Sequence, residues 1–596
     1  MTESNKQNMK FSEEPIQKYR EWFDQSRRAS EIWRIDAKED FSFVEGYGQW
    51  DESQKAELIR QKRPALVMNV VLPTINLISG QERQSRLGIS YKPRGLDDDR
   101  LAGIANSSFS YMSETTELPH EVSHSFTDMI ICGLGYLCEG LDPFINDDDP
   151  VPEISYRRIH PLSVFRDPSS SRYNMQDSKY IIHAKWMDIE MLKLYHPEAM
   201  SEIHPGDWLT VPPDQLGEKV LEEEWRNTRT GQVRVLEIWH KVPTRVWIHI
   251  MPDGSVMRHD SKKAATKHID ILTREMVRHF QPVPEVQLVE RLMNKTMRTD
   301  ITYWKILYEG PSPYKHNLYP FIPFQGYTFD ERIMGAVRAL KDPQREKNKR
   351  WSQLLHIVNT MAKGGWKIPK GSVSPQQLST WGQESGKPGF FFEYNPQVGE
   401  PREIQGQNLP SSFIDLMQVA ENEVRNTSGA IQELMGLARS GDQSGKAAQV
   451  FQRSGATILA PLYDNLTRSQ KLLGPHAISM IRQFYPASKI IDLIGETDRQ
   501  KLLETESDVM GFINDAMDIR YDTVVDVSPL FGSHRDRQFT QVMSLIETMA
   551  KSGFPPTPGL LGLLMRVSDF PDKEQLMTEL SQAQPAGPAN NEQGGG

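Results

Sequence analysis

DPQREKNKRWSQLLHIVNTM, running from Asp342 to Met361, is the stretch on which the reading of this 596-residue chain turns. Asp342 followed by Pro343 has the form of a helix start, an N-cap acceptor with a proline in the first turn. Beyond it Trp351, Leu354, Leu355, Val358 and Met361 recur at helical spacing, so one apolar stripe runs along the segment. Twenty residues of helix span about 30 Å, and Gly364-Gly365 closes the element. The same region is basic: Arg338, Lys341, Arg345, Lys347, Lys349 and Arg350 stand against Asp342 and Glu346. Lys363, Lys367 and Lys370 follow in the glycine-bounded loop KGGWKIPK. Such charges can contact phosphate without reading base sequence. They equally suit a solvated helix face.

Working outward, Lys262 to Phe280 reads as a helix stopped by Pro282 and Pro284. Between the two helices lies a strand-rich insert, with Ile301, Tyr303, Lys305 and Leu307 alternating, then the Pro- and aromatic-rich run 310–324. Upstream, alternation predicts strands over 233–240 and 246–250, with a turn at Asp253-Gly254. Helices are expected over Ser12 to Ser30, over 63–84, and from Pro119 to about Gly133, the last leading into a strand at Tyr136 to Gly140. Residues 411–485 read as mostly helical with loops around 436–446, and Asp536 to Ser552 as a further helix. The tail SQAQPAGPANNEQGGG has the composition of a disordered segment. The fold class is therefore α+β, predominantly helical.

Composition bounds the possibilities. Hydrophobic residues at 38% and charged residues at 25% are ordinary for a globular chain, which excludes global disorder, collagen-like fibre and a disulfide scaffold. The length accommodates about three or four structural units. A net charge of −10 speaks against a static, strongly basic nucleic-acid binder. Two cysteines, Cys132 and Cys138, sit in an apolar run and read as small core residues in a reducing compartment. The N-terminus lacks the apolar core of a signal peptide, and Leu66 to Gly80, the best membrane candidate, is broken by Asn69, Pro73, Thr74 and Asn76. A soluble, cytoplasmic-type chain is expected.

Three motifs invite chemistry. His120-Glu121-Val122-Ser123-His124 matches the zinc-hydrolase pattern, two histidines one helical turn apart with a glutamate as general base. Against it, Pro119 puts the motif in the helix's first turn. Val122, Phe126 and Ile130 define an apolar stripe that leaves both histidines on the opposite face, and the nearest third ligand, Glu139, falls in the predicted strand. Gly441 to Ala447 is a failed P-loop: three residues rather than four separate its glycines, and Ala447 offers no hydroxyl for magnesium. Asp97-Asp98-Asp99 and Asp147-Asp148-Asp149 read as solvated turns. No cofactor and no metal site is assigned.

The segment GAVRALKDPQREKNKRWS (335–352), preceded by YPFIPF (319–324), closely resembles the portal proteins of short-tailed phages with a large portal. Arg63 to Gln84, His160 to Pro168 and Asp526 to Phe531 match in the same order, so the resemblance covers about residues 20–580. It implies a ring of twelve copies at one capsid vertex, each with wing, stem, clip and crown. Residues 1–259 and 372–532 would be the wing, 260–282 and 333–362 the stem helices, and 283–332 the clip. Residues 363–371 would be the channel-facing tunnel loop and 533–580 the crown, followed by a disordered tail at 581–596. Lys363, Lys367 and Lys370 would meet DNA in the channel, with Arg345, Lys349 and Arg350 as further lining candidates. The resemblance also implies passage of double-stranded DNA without sequence specificity, and docking of the terminase large subunit, then of a head-completion or tail adaptor. Coat and scaffolding proteins would contact the wing, no membrane is involved, and the place is the virion's portal vertex after assembly in the host cytoplasm. Such proteins are not enzymes, and packaging energy comes from a separate terminase. The family's long C-terminal barrel is expected to be short or absent. The alternatives are a zinc hydrolase built on 120–124 and a helical scaffold without a DNA path.

Overall fold

The computed structural model describes residues 3–84, 86, 88–92, 99–142, 152–201, 225–227, 230–250, 256–259, 261–278, 287–330, 332–361, 366–384, 393–403, 418–419, 445–493, 509, 522–526, 543 and 546. Helix and strand are mixed throughout, with more residues in helices, as the α+β reading requires. Apart from Met543 and Ile546, the helix expected over Asp536 to Ser552 and the crown-like segment lie outside the described residues, as do the tail, Asp97, Asp98, Asp147 to Asp149, and the turn at Asp253-Gly254.

The helix Leu118–Cys132 is the centre of the main core. Val122, Phe126, Met129 and Ile130 are buried at helical spacing, Pro119 sits in the first turn, and Gly133 ends the helix at φ 87°. The helices 31–45, 71–84, 99–115 and 337–361 pack around it. The strand Leu134–Asp142 follows directly and pairs antiparallel with Phe321–Gln325 on one side and Glu153–Ile159 on the other. Arg158 locks this sheet to the helix, donating to both oxygens of the buried Asp128 at 2.6 and 2.8 Å. Cys132 and Cys138 are free thiols, and burial pushes the pKa of each up, as befits core residues.

A second, seven-stranded sheet is organised on one long strand. The two strands expected at 233–240 and 246–250 are a single one, Gln232–Ile250, paired with Tyr180–Asp188 along its first half and with Gln287–Ile301 from Leu236 to Ile250. Pro243 does not break it, because the proline falls beyond the stretch paired with 180–188, where its missing N–H interrupts no ladder on that side. The alternation at 301–307 is likewise misleading. The strand stops at Ile301, Thr302 and Lys305 close a turn through a 2.9 Å backbone bond, and Ile306–Pro311 returns as a hairpin. The N-terminal helix, Glu3–Ala29, starts earlier than its pattern indicates and buries Ile16, Tyr19 and Phe23, the latter two against this sheet.

Two expectations about helix boundaries fail for tertiary reasons. Residues 64–70 are extended, and helix begins only at Val71. The amides of Leu66, Met68 and Val70 donate to Ser352 Oγ, Asn348 Oδ1 and Gln344 Oε1 at 2.9, 2.9 and 3.0 Å, so side chains take the place of intrahelical acceptors. Asn69 then caps the helix, accepting from the amides of Val71 and Leu72. The deciding helix begins not at Asp342 but at Val337, with Pro343 inside it. Its start is held by Ala336 N–H donating to Ile130 O at 2.7 Å, and by burial of Val337 and Leu340. These contacts nucleate a turn ahead of the proline.

That start depends on Gly335, where a Cβ would fall 2.2 Å from Ile131 O and 2.4 Å from Ile130 O, both backbone atoms. Gly335→Ala is expected to destabilise the fold by about 3 kcal/mol or more, as overpacking against backbone does at its severe end. At Gly80, within helix 71–84, a Cβ meets nothing within 4 Å. Gly80→Ala should therefore be neutral or stabilise by about 0.5–1 kcal/mol. Denaturant melts of the two variants check the pair, and a Gly335→Ala protein as stable as the parent would disprove the role given to the close approach.

Candidate functional site

The basic helix is built from two unlike parts. From Val337 to Ser352 it lies in the body of the molecule, with Val337, Leu340, Lys341, Gln344, Lys347, Asn348 and Ser352 buried. From Gln353 to Asn359 every side chain is at least partly exposed. Of the stripe read from sequence, Trp351, Leu354 and Leu355 are half-buried and Val358 is 43% exposed.

Its cations do not form an open patch. Arg338 pairs with Asp36 at 2.9 Å and Asp40 at 3.3 Å, and Lys341 with Glu39 at 2.8 Å and Asp40 at 2.7 Å. Arg345 pairs with Glu39, lies 3.5 Å from Asp342, and sits 5.4 Å over the Phe43 ring. One face of helix Glu31–Glu45 therefore neutralises three of the six cations. Burial raises the Asp40 pKa above the ordinary carboxylate value in spite of Lys341 and Arg338. Burial also pushes Glu39 up, but Lys341 and Arg345 pull harder and hold it below that value. Arg350 bonds Glu346 one turn earlier at 2.8 Å. Lys349 is exposed on the rim of a cleft of about 500 Å³ whose walls include Trp50, Glu57 and Arg63.

Of the three loop lysines, Lys363 lies outside the described residues. Lys367 and Lys370 are exposed. Trp366–Lys367 forms a two-residue ladder with Arg402–Glu403, and Ser372 ties the loop to its neighbour by donating to Gly399 O and accepting from the Asn395 amide, at 2.9 and 2.8 Å. The structure thus sets Lys367 and Lys370 on a braced loop and draws Arg345 into the body.

The zinc-hydrolase motif resolves differently. His120 and His124 are exposed on the outer face of helix Leu118–Cys132, as the stripe of Val122, Phe126 and Ile130 requires. Glu121 is occupied, accepting from the Arg158 backbone amide at 2.6 Å. Among the described residues no third ligand joins the two histidines. Glu139 points elsewhere, toward His316 Nε2 at 2.7 Å and His476 Nδ1 at 3.1 Å. Its pKa, pushed up by burial, is pulled down to about 2 by the two imidazoles. No local signal marks this cluster, since its members come from a strand, a loop and a distant helix. Gly445, Lys446 and Ala447 of the failed P-loop open the long helix Gly445–Phe484, while Gly441 to Ser444 are outside the described residues.

The helix start is seated on a glycine, and the lysine loop behind it is braced. The chain belongs to the phage P22-like portal protein family, whose model matches residues 20–595. The portal protein of Acyrthosiphon pisum secondary endosymbiont phage 1 is 22% identical over 552 residues, covering 85% of this chain and 72% of that protein. The family is structural. Among the described residues no helix is long and apolar enough to cross a membrane.

The ion-pair seam makes a sharp contrast with surface pairs. Asp40→Asn leaves Lys341 buried beside one less carboxylate, and should cost about 3–5 kcal/mol in a denaturant melt. Arg245→Ala, which breaks an exposed pair with Glu290, should change stability by less than about 0.5 kcal/mol. Equal losses would refute the assignment of the seam as structural.

Proposed function

We propose that the chain assembles into a closed ring of twelve copies at one capsid vertex and forms the channel through which double-stranded DNA is packaged and ejected. In this reading 260–282 and 333–362 are the stem helices, 283–332 the clip and 363–371 the tunnel loop, with the wing in 1–259 and 372–532. The clip docks the terminase large subunit and later a head-completion or tail adaptor, and the wing meets coat and scaffolding proteins. The chain does no catalysis, and the energy for packaging comes from the terminase.

The observation that best supports the reading is the two-part helix 337–361. Its first four turns are committed to the chain's own body, whereas the stripe of Trp351, Leu354, Leu355 and Val358 continues beyond it only partly covered. Ile32 and Ile35, 78% and 62% exposed on helix Glu31–Glu45, add apolar surface on the neighbouring element. A ring covers such surface with an identical neighbour, and closure requires only a modest contact from each copy. The lysine loop follows the same helix, so stacking stems around an axis would carry Lys367 and Lys370 together. Loosely held phosphate contacts of this kind let DNA slide.

Negative-stain images of the purified chain should show rings with a central hole, and Trp351→Glu should shift the population toward single subunits. Monomers alone, under conditions where the chain is folded, would sink the proposal. Replacing Lys363, Lys367 and Lys370 by alanine should leave rings intact and change the rate of DNA passage in a packaging assay. Unchanged passage would remove these lysines from the channel.

A further inference from the structure

We propose that Glu139, His316 and His476 form a binding site for one first-row divalent metal ion, zinc by its ligand chemistry, which pins three distant segments of the chain together. Glu139 stands in strand Leu134–Asp142, His316 in the Pro- and aromatic-rich run, and His476 in the long helix Gly445–Phe484. One donor atom from each lies within 4.8 Å of the others. The Glu139 side chain is fully buried, and each histidine side chain is 6% exposed.

Glu139 Oε2 shares a 3.1 Å hydrogen bond with His476 Nδ1, but the contact with His316 is one of convergence rather than of hydrogen bonding. Glu139 Oε1 and His316 Nε2 approach to 2.7 Å, yet neither atom has an aligned hydrogen-bond partner, and both are sealed from solvent. Buried polar atoms left in this state are costly, and their occurrence in a well-packed core calls for a missing partner. A carboxylate with two imidazoles is also a poor fit for a bare ion pair, since an imidazolium would have to be buried with it. A divalent cation answers both difficulties, taking lone pairs from two neutral rings and balancing the carboxylate. Two nitrogens and one oxygen suit zinc and its neighbours rather than magnesium or calcium. Tetrahedral ligands at about 2.0–2.1 Å from zinc stand about 3.3 Å apart; the 2.7 and 3.1 Å separations, one to each Glu139 oxygen, open slightly, and the two histidine nitrogens, within 4.8 Å of each other, settle to the same spacing.

The surroundings hold the ligands in place. The Tyr314 ring stacks on His316 at 5.3 Å and 11°, and its hydroxyl donates to the Glu139 carbonyl at 3.3 Å. The Glu139 amide donates to Pro320 O at 3.1 Å, which returns the loop to the strand beside its own ligand. One contact opposes loading: the Leu318 amide approaches His316 Nδ1 at 3.4 Å, and a metal on Nε2 would put a proton there. At that length it is marginal, and a small rotation of the ring removes it.

The site is independent of the portal reading and of the HEVSH motif, and its test separates all three. Untagged full-length protein, expressed with zinc in the medium so that the site fills as the chain folds, should carry one zinc per chain by elemental analysis. Dialysis against a chelator should lower the melting temperature by about 3–6 °C, and zinc chloride alone should restore it. Cobalt added to the stripped protein should give visible ligand-field bands. His316→Gln and His476→Gln should abolish metal retention, whereas the double variant His120→Ala/His124→Ala should keep it. Should the ligand variants fail to fold, the strip-and-restore melt of the parent chain decides. The proposal is overturned by metal far below one per chain together with a melt indifferent to chelator and zinc. It is overturned equally by metal that survives His316→Gln and His476→Gln, or that is lost with His120 and His124.

Discussion

The architecture rests on a match of periods between a helix and an extended segment. Gln344, Asn348 and Ser352 succeed one another every four residues along helix Val337–Met361, a rise of about 6 Å per step. The amides they receive, from Val70, Met68 and Leu66, come every two residues of extended chain, about 6.6 Å per step. The two repeats therefore stay in register over three contacts, antiparallel in sequence. Gln344 also donates to Met68 O and Asn348 Oδ1, and Asn348 donates to the buried Gln49, so the ladder is satisfied internally. Losing one rung removes the acceptor of a part-buried amide, which costs about 0.5–1.5 kcal/mol. A polar face buried this way fixes direction and register as no apolar stripe would.

The ladder orients the long helix, and the glycine contact fixes where it begins. Gly133 ends the central helix with a Cβ-free approach to Met334, while Gly326 N–H donates to Gly133 O and Ala336 N–H to Ile130 O. The end of one helix and the start of the other thus share a few ångströms of backbone. Helix Val337–Met361 is in this way tied through backbone contacts to the sheet that begins at Leu134. The same sheet carries Glu139, and through His476 the long helix Gly445–Phe484 is drawn onto it. Three long-range devices therefore converge on one short strand.

These devices explain what could and could not be read from sequence. The helix 118–132 was legible because its stripe, its proline and its terminal glycine all agree. So was its exposed histidine face. The extended run 64–70 was not, since its apolar residues imitate a helix and its true acceptors lie about 280 residues away. Asp342-Pro343 imitates a cap that tertiary anchoring at Gly335 makes unnecessary. The basic cluster was visible as composition, but its meaning required Asp36 and, one turn on, the adjacent Glu39 and Asp40 of another helix. The convergence of Glu139 with two histidines leaves no trace in any window of sequence. The ladder does leave a trace: Gln344, Asn348 and Ser352 are uncharged residues, four apart, in the most highly charged part of their helix.

The charge distribution then acquires a physical sense that the net value of −10 conceals. Arg338, Lys341 and Arg345 are spent within the chain against three carboxylates, which removes them from any competition for phosphate. Among the described residues, exposed cations near the helix include Lys349 and, beyond it, Lys367 and Lys370 on a loop held by Arg402, Glu403, Gly399 and Asn395. Affinity for DNA scales steeply with the number of phosphates neutralised. A helix presenting all six cations would grip, whereas the few loop lysines, in the proposed channel, would hold a duplex only weakly. In a ring of such chains the remaining acidic surface repels the duplex on average. On the proposed reading, the ion pairs that hold the fold together are the same ones that would keep a channel face weakly basic.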